Sequence, residues 1–165
     1  MFPTYTQPPF LVPGDTVAMV STARKIAVEE VHYAKNFLEQ QGYKVVLGKT
    51  IGAEDHQFAG SDILRTTDFQ NFLDDPKVKA IWCARGGYGT VRIIDKLDFS
   101  AFQQAPKWII GYSDVTVLHS HLHKLGYQTL HAPMPVDFEK QTKTAKQNFL
   151  KSISGVKPSY TVAPH

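Results

Sequence analysis

The chain has 165 residues, of which 42% are hydrophobic, 20% charged and 12% aromatic. This composition is typical of one globular domain and excludes a disordered, collagen-like or coiled-coil chain. The net charge is only +3 and basic residues form no run longer than two, so neither nucleic acid nor another polyanion is expected as a partner. The single cysteine, Cys83, excludes an internal disulfide framework and a multi-cysteine zinc site.

The sequence shows no sign of a membrane or export segment. No stretch approaches the roughly 18 consecutive apolar residues that a membrane-spanning helix needs. The start, Met1–Thr4, lacks the cationic residues that open a signal peptide. We therefore expect a cytoplasmic protein without a membrane partner.

Short apolar strands alternate with amphipathic segments along the chain. The predicted strands cover residues 16–21, 43–47, 78–84, 107–110 and 129–131. Apolar residues at helical spacing predict helices over residues 28–41, 62–73, 91–97, 115–125 and 140–150. This alternation predicts an α/β fold with an open, mostly parallel sheet and helices on both faces. The first strand is almost continuously apolar, which indicates burial on both sides.

Ser113 occupies a sharp turn between the fourth strand and the next helix. The local sequence runs Gly111-Tyr112-Ser113-Asp114-Val115, and a strand-turn-helix arrangement of this kind is typical of a nucleophile elbow, which exposes the serine hydroxyl. The backbone N–H of Asp114 would then donate to a developing oxyanion. Val115 replaces the second glycine of the usual G-x-S-x-G signature, so the alternative that Ser113 or Asp114 is only a helix N-cap stays open.

A glycine cluster, Gly86-Gly87-Tyr88-Gly89, follows the third strand and is called the glycine loop below. Its backbone can approach a ligand closely or form a concave set of N–H groups for an anion, but it can equally be a tight turn. It is neither a dinucleotide fingerprint nor a phosphate-binding P-loop. Arg85, just before it, could hold a substrate carboxylate or pair with Asp95 or Asp114 instead.

The histidines and the cysteine are weaker candidates. His119 and His123 share a helix face, but no acidic third ligand lies at a diagnostic spacing, so no metal site is predicted. His119 lies roughly 9 Å of helical rise beyond Ser113, which is too far for a comfortable base. His131, at the end of the fifth strand, is the better local candidate for a base. Cys83 is expected to be a small buried hydrophobe and not a nucleophile.

An acyl-transfer serine needs a base to remove its proton and a third group to orient that base. The chain contains no convincing pair of this kind, so both groups are expected downstream of His165. The stretch Ser152–Tyr160 has the composition of a linker, which agrees with a chain that continues.

Several stretches together carry a family resemblance, in their order and spacing. They are Pro13–Asp15, Gly42–Val45, Phe58–Asp62, Lys79–Gly89, Pro106–His119 and His131–Met134. As a set they resemble the LD-carboxypeptidase family of serine peptidases, which includes muramoyltetrapeptide carboxypeptidases and relatives that inactivate microcin C. The resemblance runs from about Pro13 to Leu150. The expected sheet is then of the flavodoxin-like or class I glutamine amidotransferase-like kind.

The resemblance implies an enzyme that removes the terminal D-alanine from murein tetrapeptides during peptidoglycan recycling, without a metal or other cofactor. Ser113 matches the family's nucleophile, and the backbone N–H groups of Asp114 and Gly87 match its oxyanion hole. Arg85 or the N–H groups of the glycine loop, Gly86 among them, are expected to contact the substrate carboxylate.

The family's catalytic Glu and His belong to a second domain, which divides the chain as follows. Residues 1–150 are the N-terminal, nucleophile-bearing α/β domain, and residues 151–165 start a linker to a C-terminal domain that the chain lacks. The isolated domain is expected to fold but to be inactive. Its expected partners are a murein peptide substrate and the missing domain, and a homodimer stays an open alternative.

A second interpretation is a non-catalytic α/β module that binds a nucleotide or phosphate through the glycine loop. Two absences argue against it. The loop is not followed by the lysine of a P-loop, and no acidic residue follows a complete dinucleotide fingerprint at the usual distance.

Overall fold

The computed structural model describes residues 4–159, and one five-stranded sheet lies at its centre. The strands are β1 (Thr16–Val20), β2 (Lys44–Leu47), β3 (Val78–Cys83), β4 (Trp108–Gly111) and β5 (Leu130–His131). They lie in the order β2-β1-β3-β4-β5, and every neighbouring pair is parallel. The predicted α/β fold with an open parallel sheet is confirmed, and its strand order is that of flavodoxin-like doubly wound folds.

Helices cover both faces of the sheet. They are α1 (Val28–Gln40), α2 (Asp62–Asp74), α3 (Ser100–Gln104), α4 (Thr116–Lys124), α5 (Pro135–Phe138) and α6 (Lys143–Ile153). α1, α5 and α6 pack on one face around Trp82, whose ring lies 4.9 Å from that of Phe138 and 4.7 Å from that of Phe149. α2, α3 and α4 pack on the other face, where Phe69 and Ile81 are fully buried.

The apolar run of β1 serves both cores. Val17 and Met19 belong to the cluster under α1, α5 and α6, whereas Ala18 and Val20 belong to the cluster under α2, α3 and α4. Successive side chains of a strand point to opposite faces, so a central strand covered on both sides has no position for a polar residue. The burial predicted from this run is confirmed.

The helix predicted over residues 91–97 is wrong. The segment forms two short 3-10 turns, Thr90–Arg92 and Ile94–Lys96, closed by hydrogen bonds from Ile93 N to Thr90 O and from Lys96 N to Ile93 O. Three β-branched residues fall within this stretch and lower its helix propensity. In addition, Arg92 pairs with Asp62 across the fold, a contact that the local sequence does not encode.

The start and the end of the described chain meet at the amino edge of the sheet. Leu11 N donates to Ile153 O at 2.8 Å, and Trp108, the first residue of β4, donates from its indole nitrogen to Pro9 O at 2.9 Å. A Cβ on Gly155 would lie 2.6 Å from the ring of Phe10, so the chain after α6 passes directly over that ring.

The last predicted helix is displaced along the sequence. α6 begins at Lys143, where Thr142 accepts a capping bond from Ala145 N at 3.1 Å, and it ends at Ile153 instead of Leu150. The proposed division at residue 150 therefore falls inside a helix and stays a prediction. Residues 1–3, part of the start assessed for a signal peptide, and residues 160–165 of the predicted linker lie outside the described range. Between residues 4 and 159 no helix is long and apolar enough to cross a membrane.

Candidate active site

The carboxyl edge of the sheet gathers the residues that the sequence singled out. Ser113 follows β4, Arg85 and the glycine loop follow β3, and His131 ends β5. Because the strands are parallel and β3 pairs with β4, the glycine loop lies beside Ser113. Ligands of open α/β sheets bind at this edge, next to the strands where the connection order reverses.

Ser113 has the backbone of a nucleophile elbow. Its φ is +60°, a left-handed conformation that costs a non-glycine residue about 1–3 kcal/mol. The residue is exposed, and its turn is preceded by Gly111, whose φ of +158° brings the Val115 methyl groups within 3.0 Å of the place a Cβ would occupy. With this backbone conformation the hydroxyl is exposed at the carboxyl edge of the sheet, where a substrate would bind.

The alternative that Ser113 or Asp114 acts as a helix N-cap is not supported. The turn Ser113–Val115 has Tyr112 at its N-cap and α4 has Val115, and neither position shows a side-chain capping bond. The elbow geometry is present instead, and its chemical role is taken up under the proposed function.

Gly86 forms the wall beside the serine hydroxyl. A Cβ at this residue would lie 3.3 Å from Ser113 Oγ and 3.4 Å from the backbone nitrogen of Asp114. Gly87 is exposed with a φ of +116°, and a Cβ there would lie 2.4 Å from the Arg24 side chain. The left-handed backbone thus favours glycine at position 87, and at position 86 the absence of a side chain lets the loop backbone come close to the hydroxyl and to the Asp114 backbone nitrogen.

The Asp114 side chain clamps the glycine loop to the elbow. Its Oδ2 accepts a hydrogen bond from the backbone N–H of Thr90 at 2.9 Å. The Thr90 hydroxyl in turn shares a buried hydrogen bond of 2.7 Å with the hydroxyl of Thr22, which follows β1. The loops after β1, β3 and β4 are therefore joined by a continuous chain of hydrogen bonds, a role of Asp114 that sequence spacing did not reveal.

Arg85 does not pair with either acid considered from the sequence. Its Nη1 donates to Lys25 O at 3.2 Å and lies 3.9 Å from Glu30 Oε1, so the expected pairing with Asp95 or Asp114 is wrong. The Arg85 side chain is 36% exposed at the carboxyl edge. It remains accessible to a ligand, and contact with a substrate carboxylate stays a prediction for Arg85.

His119 supports the elbow and does not act as its base. The ring is buried, and Nε2 lies 3.0 Å from Gly111 O, so Nε2 carries the proton that this carbonyl accepts. Nδ1 is buried without a hydrogen-bond partner among residues 4–159, and burial lowers the pKa of the ring. His119 is thus a neutral side chain that fixes the end of β4.

Of the other two histidines considered from the sequence, His131 lies at this edge and His123 lies near the end of α4. His131 is exposed, with its ring 6.0 Å from that of Tyr112, and His123 Nε2 lies 3.3 Å from Thr129 Oγ1. The described part of the chain contains no group of three or more His, Cys, Asp or Glu residues that could hold a metal ion.

Cys83 is the last residue of β3 and is fully buried. Burial, together with the nearby Asp114 carboxylate, raises the pKa of its thiol to about 12. A thiol in this state is a poor nucleophile, so the expected role of Cys83 as a small buried hydrophobe is confirmed.

A cleft of about 290 Å³ opens beside the elbow, lined by Tyr112, His131, Ala132, Pro133, Asp137 and Gln141. The Tyr112 hydroxyl donates to Asp137 Oδ2 at 2.9 Å, and this bond is the main reason why the pKa of Tyr112 is raised. The Tyr112–Asp137 pair therefore fixes the residue before Ser113 against α5, which the sequence did not predict.

The arrangement as a whole brings the Ser113 hydroxyl, the Asp114 backbone nitrogen and the glycine loop close together. Among residues 4–159, no histidine or carboxylate is hydrogen-bonded to Ser113 Oγ, and Asp114, Asp137 and His119 bind other groups.

Comparison with known proteins identifies the family of the chain. Residues 17–132 match the family described as LD-carboxypeptidase N-terminal domain. The chain belongs to the LD-carboxypeptidase family. The resemblance carried by the sequence motifs is thereby confirmed.

Two curated relatives of this family share much of the chain. The probable murein peptide carboxypeptidase of Bacillus subtilis is 40% identical over 129 residues, which are 78% of this chain and 40% of the relative. The murein tetrapeptide carboxypeptidase of Pseudomonas aeruginosa is 35% identical over 119 residues, or 72% of this chain and 39% of the relative. The chain thus spans about two fifths of the length of these relatives.

Solved structures of the family share the fold. The microcin C7 self immunity protein MccF, in complex with aspartyl sulfamoyl adenosine, has a TM-score of 0.84 at 26% identity, covering 98% of this chain and 51% of that chain. The muramoyltetrapeptide carboxypeptidase of Oxalobacter formigenes has a TM-score of 0.73 at 24% identity, covering 83% and 47%, and this likeness concerns the fold alone.

Proposed function

We propose that this chain is the N-terminal, nucleophile-bearing domain of a serine-type LD-carboxypeptidase that removes the terminal D-alanine from murein tetrapeptides in peptidoglycan recycling. The observation that carries the proposal is the exposed Ser113 at a φ of +60°, with Gly86 packed 3.3 Å from its Oγ. The relatives named as murein peptide carboxypeptidases support the substrate class.

In the proposed reaction Ser113 Oγ attacks the carbonyl carbon of the L,D peptide bond. The carbonyl oxygen becomes an oxyanion that accepts hydrogen bonds from the backbone N–H groups of Asp114 and Gly87. One donor of this kind typically lowers the activation free energy by about 2.7–4 kcal/mol. The serine proton passes through the base to the amine of D-alanine, which leaves, and water then hydrolyses the acyl-serine ester.

The base and its orienting partner are proposed to come from a part of the protein that this chain lacks. No described histidine contacts Ser113 Oγ, and the relatives are more than twice as long as the segments they share with this chain. The family resemblance implies that a Glu and a His in a C-terminal domain would fill these roles. The 165-residue chain should therefore fold and remain inactive alone, and the reaction would take place in the cytoplasm, where murein fragments are recycled.

Recognition of the free carboxylate at the scissile end is proposed for Arg85 and the neighbouring glycine loop. Arg85 is partly exposed at the correct edge, and a guanidinium can bind a carboxylate through two parallel hydrogen bonds. Arg85 donates one N–H group to the Lys25 carbonyl, so most of the Arg85 donors are free for such a ligand. The Gly86 backbone lies between Arg85 and Ser113, so its N–H group could contribute to the same site.

A second substrate class is an aminoacyl nucleotide amide. It is favoured by the structural match to MccF bound to aspartyl sulfamoyl adenosine, since the same serine chemistry would serve both substrates. A non-catalytic module that binds a nucleotide through the glycine loop is the remaining alternative.

The test uses the longer protein that carries the proposed downstream domain. D-alanine release from a murein tetrapeptide is measured for the wild type, for Ser113→Ala and for Ser120→Ala, an exposed serine on α4 that serves as the matched control. Release that is abolished only by Ser113→Ala supports the proposal.

Two other results would change the proposed function. Cleavage of an aminoacyl adenylate amide with no D-alanine release would move the substrate to the second class. Absence of both activities, with a saturable rise in melting temperature on adding a nucleotide, would favour the binding module.

A further inference from the structure

Arg65 is a buried cation that the proposed chemistry does not use. It lies on α2, only 1% exposed, and its side chain has no exposed surface. A guanidinium removed from water in this way is unfavourable unless every donor is paired. Apolar side chains of similar size would fill the same space on this helix without that cost, so the position of the charge calls for a physical reason.

The guanidinium binds backbone carbonyls of three separate loops. Nη1 donates to Thr22 O at 2.7 Å, after β1, and to Gly89 O at 3.0 Å, at the end of the glycine loop. Nε donates to Gly60 O at 3.3 Å, before α2, and Nη2 is paired with Asp62. The planar fork of arginine allows these contacts at once, which the single ammonium group of lysine could not reproduce.

The loop is shaped to admit this side chain. A Cβ on Gly89 would lie 2.6 Å from Arg65 Nη1 and 2.8 Å from Ala23 Cα, so only glycine lets the carbonyl approach the guanidinium. The Phe58 ring covers Arg65 at 4.8 Å from its centroid and shields it from water. Arg65 and Gly89 thus form a fitted contact between α2 and the end of the glycine loop.

The other end of the glycine loop lies against the serine. Gly86 packs beside Ser113 Oγ, and Thr90 N is held by the Asp114 carboxylate. A shift of the Gly89 carbonyl would therefore be transmitted along the loop backbone to Gly86, which packs against the hydroxyl.

We infer that Arg65 is a positioning residue, which holds the glycine loop in the geometry that its N–H groups need to stabilise the oxyanion beside Ser113. The inference rests on the proposed function for its catalytic consequence. The placement of the loop by Arg65 can be measured independently of any activity.

The first experiment measures amide hydrogen exchange in the 165-residue chain. Arg65→Lys keeps the charge and Arg65→Met keeps much of the apolar volume, but neither can bind three carbonyls. Both should accelerate exchange across residues 86–90 several-fold while α6 keeps its wild-type rates. Lys107→Met is the matched control, because Lys107 is also a buried cation that donates to backbone carbonyls, those of Phe72 and Asp75, but at the end of α2 far from the loop. Its exchange in the loop should match the wild type.

The second experiment measures D-alanine release by the longer protein. Both Arg65 variants should lower kcat by about 10- to 100-fold, the effect of a small misplacement at a reacting centre, with little change in KM. Lys107→Met should retain wild-type kcat. Wild-type loop exchange in Arg65→Lys, or unchanged kcat in both Arg65 variants of an active protein, overturns the inference. If the longer protein releases no D-alanine, the proposed function fails, while loop exchange still decides whether Arg65 positions the loop.

Discussion

The carboxylate of Asp114 accepts a hydrogen bond from the backbone N–H of Thr90 at 2.9 Å, which joins the residue after Ser113 to the residue after the glycine loop. The same residue therefore contributes twice in the proposed site. Its backbone N–H belongs to the oxyanion hole, and its side chain holds the loop that supplies the second donor.

Replacing this carboxylate should separate the two contributions. Asp114→Ala keeps the backbone N–H but leaves Thr90 N without its acceptor, which should lower the free energy of unfolding by about 1.5–3 kcal/mol, as for other hydrogen bonds to charged groups. Displacement of the loop should also reduce kcat for D-alanine release by about 100-fold in the longer protein. Asp114→Asn retains an oxygen acceptor and should lose much less of both. Equal losses in the two variants, measured by urea unfolding and kinetics, would contradict a clamp role.

A methyl group at Gly86 should impair the site more than the fold. Gly86 does not have a left-handed backbone, and its Cβ would stand 3.3 Å from Ser113 Oγ. Gly86→Ala should therefore retain near wild-type unfolding free energy and lose most D-alanine release. Gly14→Ala is the converse control, since its φ is +98° and no atom lies within 4 Å of its Cβ. It should lower unfolding free energy by about 1–2 kcal/mol without changing kcat. Full activity in Gly86→Ala would contradict the proposal that this loop lies close to the serine hydroxyl during catalysis.

Cys83 should resist alkylation in the folded chain. With a pKa of about 12, about one thiol in ten thousand is ionised at pH 8, and the side chain is fully buried. Iodoacetamide should modify the native protein far more slowly than the urea-unfolded protein at that pH, as followed by mass spectrometry. Equal labelling rates in the two states would show that β3 opens readily at its carboxyl end.

Lys107 should make stability rise with pH in the alkaline range. Its Nζ donates to Phe72 O and Asp75 O at the end of α2, and burial lowers its pKa from 10.5 to about 8. Between these two values the unfolded chain binds more protons at this residue than the folded chain, so the free energy of unfolding increases with pH.

Urea unfolding of the wild type and Lys107→Met from pH 7.5 to 10.5 isolates this contribution, since the other titrating groups are common to both. The wild type should gain stability relative to the variant as pH rises, although the variant also loses two hydrogen bonds at every pH. A constant difference across the range would show that Lys107 stays charged in the folded protein.

The sequence predicted features that depend on local chemistry. The strand at residues 16–20 follows from continuous apolarity, and the elbow at Ser113 follows from glycine, serine and helix in close succession. The segment after the glycine loop was mispredicted because its apolar spacing fits a helix, whereas its conformation depends on contacts of Thr90 and Arg92 with distant residues.

The residues that hold the loops around the site could not be predicted from the spacing of residues in the sequence. Arg65 binds carbonyls of residues 22 and 89, which are far from it in sequence, and Asp68 accepts bonds from the backbone nitrogens of Lys49 and Thr50. One signal was present. Arg65 and Asp68 occupy the same helical stripe as Phe69, so charged residues stood at positions where a core residue was expected.

The contact of Gly155 with Phe10 determines how far any following chain must extend to reach Ser113. It places the end of α6 at the amino edge of the sheet, whereas Ser113 lies beyond the carboxyl end of β4, roughly 17 Å away for five extended residues. Asn148 Nδ2 donates to Ser159 O at 3.4 Å, so residues 156–159 already return along α6 towards the serine side. Any chain that leads from α6 to the proposed downstream base would therefore start from this returning segment, and removing residues from 155–159 would shorten the length available to it.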